Sequence, residues 1–319
     1  MKRIGVLTGG GDAAGMNAAL RAVVRTALNR GVEVVGIRRG WLGLSEGDAT
    51  FMTTVDVAGI MHQGGTVLRT FRYPEFKTKA GQEKVGAVLE RLALDGLVVI
   101  GGDGSFRGAA VLDEKFDLPT VGVPATIDND IPGTDYSIGF DTALNIAVDA
   151  VDKIRDTASS HGRIFVIEVM GRECGLLAME TGLSCGAEEV IVPEIPFDLD
   201  EICLRIEGGY DRGKQHAVII VAEGAAKAPY IEYELKARLR RSIRMVVLGH
   251  VQRGGSPTAS DRVLATKLGH AATDMLLDGE RGVMVGLVAN RIKTSALTKK
   301  GHAVRKQVLA YNELVRLLS

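Results

Sequence analysis

Short apolar runs recur along the chain, and each ends in glycine or a polar turn before a longer segment with helical spacing. Seven of these runs have the length and β-branched content of buried strands: residues 3–10, 32–37, 94–105, 119–130, 163–172, 217–224 and 244–255. Strands that alternate with helices build parallel sheets, because a parallel pair needs a crossover connection. The pattern therefore predicts an α/β fold.

Between the fourth and fifth of these runs lies one long segment with helical periodicity. Residues 141–161 carry apolar side chains on one helical face, at Ala143, Ile146, Ala147, Ala150 and Ile154. Such a helix is long enough to bridge two lobes. We expect a first lobe at residues 1–139 and a second at 140–252, each with a mainly parallel sheet flanked by helices. The glycine-rich segment after residue 252 is expected to return the chain to the first lobe.

The composition is that of a globular protein without a strong electric field. The 319 residues are 46% hydrophobic, and 39 basic residues balance 39 acidic ones, so no net charge favours nucleic acid or an anionic membrane. The first apolar run is too short for a signal peptide or a membrane span, which predicts a cytoplasmic protein. Cys174, Cys185 and Cys203 are odd in number and match no metal-binding spacing, so we expect buried thiols.

Glycine-rich turns follow two of the predicted strands, at the strand ends where ligands collect in open α/β sheets. The first turn contains Gly9, Gly10 and Gly11 before a helix, so backbone N–H groups can approach a phosphate closely. Taken alone, it is equally typical of a plain turn between a strand and a helix. It lacks both the Walker A ending and a regular GxGxxG spacing.

The second turn places Asp103 between glycines and Ser105 at the start of the next helix. A carboxylate there can hold Mg²⁺ while N–H groups hold the nucleotide phosphates that share the metal. The alternative is that Asp103 or Ser105 is a simple helix cap. Two such turns at one sheet edge favour a nucleotide site.

The segment after the fourth predicted strand concentrates carboxylates. Asp128 and Asp130 are two residues apart, so in an extended segment both project to the same side. In phosphoryl transfer one can accept a hydroxyl proton while the other orients its partners, and Thr126 can donate a hydrogen bond to the moving group. On its own the segment is more typical of an Asx-turn before Pro132.

The predicted second lobe carries cations at its strand ends: Arg163, Arg172, Arg244, His250 and Arg253. Arginine and histidine suit a phosphate monoester, although each of them alone is more typical of a solvated surface. Glu223 can accept hydrogen bonds from sugar hydroxyls, or it is a carboxylate at a helix start. The residues of the two lobes together predict a Mg²⁺- and nucleotide-dependent kinase of a sugar phosphate.

A second anion site has weaker support. Arg21 and Arg25 lie one turn apart on the first helix, and Arg155 lies on the long helix. Such cations are more typical of solvated helix faces.

Eight motifs, taken in order, resemble the bacterial ATP-dependent 6-phosphofructokinase family: GGGDAAGMN, GGDGS, TIDNDIPGTD, IGFDTA, DKIRDTASSH, EVMGR, VAEG and LGHVQRGGSPTASDR. The resemblance implies transfer of the ATP γ-phosphoryl group to the 1-hydroxyl of fructose 6-phosphate, with Mg²⁺, by a cytoplasmic homotetramer. It also implies a three-layer sandwich in each lobe, in which residues from about 253 to 305 join the first lobe and residues from about 306 to 319 the second.

The resemblance further implies roles for individual residues. Asp128 resembles the general base and Asp130 its neighbour that orients Arg172, and the transferring phosphoryl group would contact Thr126, Arg172 and Arg72. ATP and Mg²⁺ would be bound by Gly11, Trp41, Arg72, Tyr73, Gly102, Asp103, Gly104, Ser105 and Arg107, with Asp103 as the metal ligand.

Fructose 6-phosphate would be bound by Thr126, Asp128, Met170, Gly171, Arg172, Glu223, His250 and Arg253, with Arg163 and Arg244 reaching in from a neighbouring subunit. An ADP or phosphoenolpyruvate effector at a subunit interface would be bound by Arg21, Arg25, Arg155, Arg212 and Lys214.

The chain departs from the family pattern in and near the phosphate-binding turns. Gly9 stands where relatives commonly carry serine, and further departures lie at Ala13, Ala14 and Ala125. None of them removes a side chain with a chemical role, so catalysis is expected to be intact. Thr54 stands where some relatives place an effector-binding arginine and Gln215 where many have lysine, so we expect effector binding to be weakened.

Three other functions fit parts of the pattern. A pyrophosphate-dependent phosphofructokinase usually has aspartate and lysine where this chain has Gly104 and Ala125. A non-catalytic nucleotide-sensing homologue is expected to lose Asp128, Asp103 or Arg172. A nicotinamide dehydrogenase should carry an acidic residue at the end of its second strand, where this chain has arginines.

Overall fold

The computed structural model describes residues 1–298 and 303–318, with side chains from residue 306 onward in the last segment. The predicted segments 253–305 and 306–319 therefore lie partly outside the described residues. The strands are β1 Arg3–Gly9, β2 Glu33–Ile37, β3 Ala49–Met52, β4 Gly96–Gly101, β5 Thr120–Pro124, β6 Ile164–Val169, β7 Glu189–Ile191, β8 Ala217–Ala222, β9 Ile243–Val247, β10 Val283–Val288 and β11 Arg291–Ala296.

The helices are α1 Met16–Asn29, α2 Gly40–Glu46, α3 Lys79–Leu92, α4 Asp103–Phe116, α5 Phe140–His161, α6 Leu176–Cys185, α7 Leu199–Asp211, α8 Ala228–Arg238, α9 Ala259–Leu277 and α10 Ala303–Leu318. Two short 3₁₀ helices cover Pro74–Lys77 and Gly249–Arg253. Each of the seven predicted strand segments overlaps one observed strand, and α5 confirms the helix predicted over residues 141–161. Among the described residues, no helix combines the length and the apolar content that crossing a bilayer requires.

The described chain divides into two compact units. The first comprises Met1–Ile127, Ile131–Thr142 and the segment from Arg253 through β11. The second comprises Asp128–Asp130, Ala143–Gln252 and α10. The chain passes from the first unit to the second within α5.

The first unit contains a seven-stranded sheet in the order β11-β10-β5-β4-β1-β2-β3. Its inner pairs are parallel, whereas β2 with β3 and β10 with β11 pair in antiparallel fashion. Strands β4 and β5 are buried at every position, because helices cover both faces of the sheet. Since β1, β4 and β5 are neighbouring parallel strands, their carboxyl ends lie at one edge.

Helices form a layer on each face of this sheet. Leu97 and Val99 of β4 belong to a core cluster with α2, α3 and α4. Gly96, one position away on the same strand, lies against Leu276 of α9, and α9 packs along α1. Successive residues of a strand face opposite sides, so this alternation gives a helix–sheet–helix sandwich.

The second unit contains a four-stranded, entirely parallel sheet in the order β7-β8-β6-β9. Strands β6 and β8 are buried throughout, and one face packs against α7 and α8 through residues such as Val166, Ile206 and Ile231. The other face packs against α6, along which α10 lies. Strand β9 is an edge strand with most of its side chains exposed. Both units are thus mainly parallel sheets flanked by helices, as predicted.

Candidate functional site

The first glycine turn joins the end of β1 to α1 in the first unit. Gly10 and Gly15 have φ values of 86° and 111°, a backbone region that glycine adopts without a steric penalty. The Thr70 hydroxyl donates to the Gly10 carbonyl at 2.9 Å, and the Arg253 guanidinium donates to the Asp12 carbonyl at 3.1 Å. The turn is therefore held in place by side chains distant in sequence.

Arg253, one of the predicted sugar-phosphate cations, contacts the first glycine turn. It belongs to the first unit, and a Cβ added to Gly11 would lie 2.6 Å from its Nη1 atom. The glycine thus leaves the space that the guanidinium occupies. Arg253 supports the first glycine turn, a contact that the sequence analysis did not anticipate.

Asn17 is a buried polar residue that the sequence analysis did not select. Its amide nitrogen donates to the carbonyls of Gln63 and Gly64 at 3.1 and 3.3 Å, and its oxygen accepts from the Val67 N–H at 2.8 Å. All three partners are at least 46 residues away in sequence. The start of α1 therefore anchors the loop that leads towards Arg72.

The second glycine turn joins β4 to α4. Gly102 is the N-cap residue, so neither Asp103 nor Ser105 is the cap, and the simple capping interpretation is wrong. Asp103 is the first residue of α4, where the helix dipole favours negative charge. Its carboxylate pairs with Arg107 at 2.5 Å, and both side chains are more than half exposed. Exposed pairs of this kind contribute little free energy, so a cation can compete for the carboxylate.

The other predicted nucleotide contacts differ in how exposed they are. Arg72 is exposed, whereas the ring of Tyr73 packs against the core of the first unit with the Lys84 ammonium 5.9 Å from its centroid. Trp41 is buried in the same core and stacks on Phe76. Gly104, by contrast, opens onto free space, because an added Cβ would meet no atom within 4 Å.

Strand β5 ends next to the second glycine turn. A Cβ added to Gly102 would lie 3.6 Å from the Thr126 Cβ, and the Ser137 hydroxyl donates to the Thr126 carbonyl at 2.7 Å. Thr126 therefore adjoins the turn that carries Asp103.

The expectation of an extended segment at Asp128 and Asp130 is wrong. Asp128 lies in a turn, and Asn129 has a φ of 49° in the left-handed region. Asparagine tolerates that conformation better than most residues, which explains its position between the two aspartates. The two-residue alternation of a strand therefore does not determine how the carboxylates point.

Cys174 lies close to these carboxylates within the second unit. Burial raises the pKa of its thiol to about 12, and the negative charges of Glu194, Asp130 and Asp128 act in the same direction. Glu194 also accepts a hydrogen bond from the Gly175 N–H at 2.8 Å, at the start of α6. The predicted burial is confirmed for Cys174 and Cys203, whereas Cys185 is only half-buried.

The turn after β6 carries Met170, Gly171 and Arg172. Gly171 has a φ of 133°, which strongly favours glycine. The Met170 N–H donates to the Gln252 side-chain oxygen at 3.3 Å, and Gln252 in turn donates to the Gly249 carbonyl at 3.0 Å. Gln252 is buried and connects this turn to the segment that carries His250.

Gly224 holds the Arg172 backbone against β8. Its N–H donates to the Gly171 carbonyl at 3.0 Å, and an added Cβ would lie 1.8 Å from the Arg172 carbonyl oxygen. The preceding Glu223 carboxylate contacts the Lys227 ammonium at 3.5 Å. The carboxyl ends of β6 and β8 thus bring Met170, Arg172 and Glu223 to one edge.

Arg163 and Arg244 lie at the amino ends of the strands of this sheet, opposite the edge that carries Arg172. Arg163 precedes β6, and Arg244 pairs with Phe165 at the start of β9. Strand β6 has six residues, so its ends are roughly 20 Å apart at about 3.3 Å per residue. Within one chain, the second unit therefore does not gather Arg163 and Arg244 with Arg172. His250 is exposed after β9.

The predicted effector cations fall into separate groups. In the first unit, Arg25 and Thr54 line one open groove of about 700 Å³. Arg21 lies on α1, the helix that also carries Arg25, and is half-buried. In the second unit, Arg212 and Lys214 line a cavity of about 210 Å³. Arg155 donates to the Cys185 and Gly186 carbonyls at the end of α6.

Comparison with known proteins gives consistent matches. A family model described as phosphofructokinase matches residues 3–276. An ATP-dependent 6-phosphofructokinase of Halalkalibacterium halodurans is 55% identical over 94% of this chain and 93% of its own length. One of Bacillus subtilis is 54% identical over 92% of this chain and 91% of its own length.

A solved structure of phosphofructokinase from Saccharomyces cerevisiae is 34% identical with a TM-score of 0.87. The match covers 99% of this chain and 48% of the yeast chain, so this chain spans about half the length of the yeast protein.

Proposed function

The chain belongs to the phosphofructokinase family, and from that premise we propose that it transfers the γ-phosphoryl group of ATP to the 1-hydroxyl of fructose 6-phosphate. The products are fructose 1,6-bisphosphate and ADP, and the reaction is a step of glycolysis. The observation that carries the proposal is the 55% identity, over nearly the whole chain, to a protein named ATP-dependent 6-phosphofructokinase. Neither a pyrophosphate-dependent enzyme nor a non-catalytic homologue is favoured.

The choice of ATP as donor is also supported by the second glycine turn. Gly104 presents no side chain, and the space beside it is open. Ala125 adds only a methyl group. The chain therefore lacks, at these two positions, the charged side chains that the pyrophosphate-dependent pattern would place beside the phosphates.

Mg²⁺ is the cofactor that we propose, with Asp103 as its protein ligand. Among the described residues, no group of three or more His, Cys, Asp or Glu side chains could hold a metal ion. A single exposed carboxylate still fits Mg²⁺, which keeps several waters and shares nucleotide phosphate oxygens. Asp103, which pairs with Arg107, would hold the ion, and a bound ion would neutralise phosphate charge.

In the proposed reaction, Asp128 accepts the proton of the 1-hydroxyl as that oxygen attacks the γ-phosphorus. The bond from phosphorus to the bridging oxygen breaks, and the electron pair leaves with ADP. Thr126 and Arg172 donate hydrogen bonds to the moving group, and Asp130 orients Arg172. Arg72 contacts ATP and product. Met170, Gly171, Glu223, His250 and Arg253 contact fructose 6-phosphate.

Three wider features complete the proposal. The first unit, with Gly11 and residues 102–105, binds ATP, and the second binds fructose 6-phosphate. The protein acts in the cytoplasm as a homotetramer, in which Arg163 and Arg244 serve the site of a neighbouring subunit. Arg21, Arg25, Arg155, Arg212 and Lys214 bind an ADP or phosphoenolpyruvate effector.

A coupled assay for fructose 1,6-bisphosphate tests the activity. We expect turnover with fructose 6-phosphate, ATP and Mg²⁺, little without Mg²⁺, and none when pyrophosphate replaces ATP. Turnover with pyrophosphate and none with ATP would reverse the donor assignment. Absence of turnover with both donors would refute the kinase function.

Asp128→Asn tests the general base. The amide cannot accept the hydroxyl proton, so kcat should fall by about 10²–10⁴-fold with fructose 6-phosphate affinity little changed. Asp135→Asn is the matched control, because Asp135 lies in the same loop and its carboxylate accepts from the Ala289 N–H. A near-wild-type kcat in Asp128→Asn would exclude the role.

A further inference from the structure

Trp41, the chain's one tryptophan, lies in the core of the first unit rather than on its surface. It is 7% exposed, and its ring stacks on Phe76 with centroids 5.1 Å apart and an interplanar angle of 22°. An indole in this position packs well, but packing alone does not require its N–H group. The direction of that group is therefore informative.

Two glycines leave the space that the indole occupies. A Cβ added to Gly9 would lie 2.9 Å from the Trp41 Nε1, and one added to Gly108 would lie 2.6 Å from Cζ2 of the same ring. Side-chain carbons do not approach other heavy atoms this closely, so a larger residue at either position would displace the ring or the backbone. Gly9 ends β1 and Gly108 lies on α4, so the indole contacts the elements that carry both glycine turns.

The indole N–H points to the hydroxyl of Ser105, with Nε1 and Oγ 3.5 Å apart. Ser105 is 3% exposed. A Cβ on Gly9 would lie 2.6 Å from its Oγ, and one on Gly101 would lie 2.8 Å from the same atom. The hydroxyl is therefore enclosed where the first glycine turn meets the second.

We propose that Trp41 is a positioning residue for nucleotide binding: through Ser105 it fixes the spacing of the two glycine turns. The inference rests on the proposed function, since the turns are taken to receive ATP phosphates. Glycine turns are intrinsically mobile, and a fixed spacing lowers the entropy cost of ordering their N–H groups around a ligand. Gly9, where relatives commonly carry serine, makes room for this contact.

Trp41→Phe tests the inference, because phenylalanine keeps an aromatic ring beside Phe76 and removes the N–H. The KM for ATP should rise by about two- to fivefold, because the contact of 3.5 Å is longer than an ordinary hydrogen bond, while kcat and the half-saturating fructose 6-phosphate concentration should change less than about twofold. Leu89→Ala is the control for a core defect, because Leu89 belongs to the same cluster. It should lower the melting temperature and leave the KM for ATP unchanged.

Ser105→Ala supplies a readout that needs no turnover. Removal of the acceptor should shift the fluorescence emission of Trp41, and the effects of Trp41→Phe and Ser105→Ala on the KM for ATP should be less than additive. An unshifted emission spectrum with additive effects would overturn the inference, as would an unchanged KM in Trp41→Phe. If the wild-type enzyme is active, those outcomes contradict the role of Trp41 but not the kinase function. An inactive wild-type protein refutes that function, while the emission shift still reports the contact.

Discussion

Gly224 has no side chain, yet it determines where the backbone of the charged residue Arg172 lies. A Cβ added to Gly224 would lie only 1.8 Å from the Arg172 carbonyl oxygen, so the two atoms would clash. An alanine there would force the Arg172 backbone away from β8. The guanidinium of Arg172 carries charge, but its place at the end of β6 depends on the neighbouring glycine.

Cys174 gives a prediction about thiol reactivity. Burial raises the pKa of this thiol to about 12, from an ordinary value of 9.0, so at pH 8 the native protein holds almost no reactive thiolate there. A Cys185→Ser and Cys203→Ser variant isolates Cys174. We expect negligible reaction with a disulfide reagent at pH 8 in the native protein and one equivalent after unfolding.

The same shift fixes the sign of a pH effect on stability. The folded-state pKa lies above the unfolded value, so the contribution of Cys174 is complete below pH 9 and decreases as the pH rises from 9 towards 12. Rapid labelling of native Cys174 at pH 8 would contradict both expectations.

The chemistry of the candidate site could be predicted from sequence where charged residues recur at one kind of location. Asp103, Asp128 and Arg172 were selected because they all follow predicted strands, where ligands collect in open α/β sheets, and because their motifs match one family. Asn17 and Gln252 were not selected, because the partners of Asn17 are 46 or more residues away and Met170, the partner that ties Gln252 to the turn after β6, is 82 residues away. Only the fold brings these groups together. A buried amide has no local sequence signal.

At the scale of elements, the strands that were predicted are the ones with continuous apolar runs. Strand β7 has three residues, and β3 and β11 are antiparallel edge strands in which half or more of the side chains are exposed. None of these gives the signal of a buried strand. Strand β10 contains an apolar run, VMVGLV, which is typical of a buried strand although it is not among the predicted segments.

Asp261 connects two elements of the first unit and is a buried carboxylate. It accepts hydrogen bonds from the Gly139 and Thr142 N–H groups at 2.8 Å each, at the start of α5, and from the Thr142 hydroxyl at 2.5 Å. Burial raises its pKa, although these hydrogen bonds oppose the shift. A residue of α9 thus caps the N-terminus of α5.

Asp261→Asn should therefore destabilise the fold by about 1–3 kcal/mol, because the amide nitrogen would face N–H donors. The folded-state pKa of Asp261 lies above the unfolded value, so its stabilising contribution is largest at low pH and decreases as the pH rises. The difference in unfolding free energy between wild type and variant should grow as the pH falls towards 4. Denaturant titrations at several pH values measure it.

Asp274→Asn on the same helix is the matched control. Its carboxylate forms an exposed pair with Arg30, and such pairs contribute little, so the change should be under about 1 kcal/mol. Equal losses in the two variants would show that the cap on α5 is not what Asp261 provides.

At the scale of the whole molecule, the predicted effector cations are only partly available to bind an anion. Arg25 and Thr54 line one groove, and a neutral hydroxyl stands where an arginine would add charge. The Arg155 guanidinium donates to two carbonyls, and Lys214 lies 3.3 Å from Glu188. Part of the predicted positive charge is therefore already engaged, which supports weakened effector binding.

Phosphoenolpyruvate should raise the half-saturating fructose 6-phosphate concentration, and the double variant Arg21→Ala and Arg25→Ala should abolish that shift while sparing kcat. The coupling is expected to be about 1–3 kcal/mol or less. Arg281→Ala is the control, because its guanidinium pairs with Asp113 and Asp117 and does not line this groove. Substrate titrations with and without the effector decide the outcome. A wild-type response in the double variant would mean that Arg21 and Arg25 lie on a solvated helix face and do not bind the effector.

Arg163 and Arg244 are proposed to act in the site of a second copy of the chain. Arg244 lies on β9, whose outer edge has no strand partner among the described residues and which exposes Met245 and Val247. An exposed edge strand with apolar side chains favours association with another chain. Arg163 and Arg244 lie at the edge of the sheet opposite Arg172, which supports the proposal that they serve the site of a neighbouring subunit.

Mixed oligomers test this arrangement. Asp128→Ala and Arg163→Ala should each be nearly inactive alone, because each lacks one part of every site. If Arg163 acts across a subunit boundary, a mixed oligomer contains some sites in which the intact Asp128 and the intact Arg163 come from different chains. Refolding equal amounts of the two variants together should therefore restore part of the wild-type kcat. Mixing Asp128→Ala with Arg172→Ala is the control and should restore none, because both residues are proposed to serve the site of their own chain. No recovery with Arg163→Ala, in oligomers shown to be mixed, would mean that Arg163 serves its own subunit.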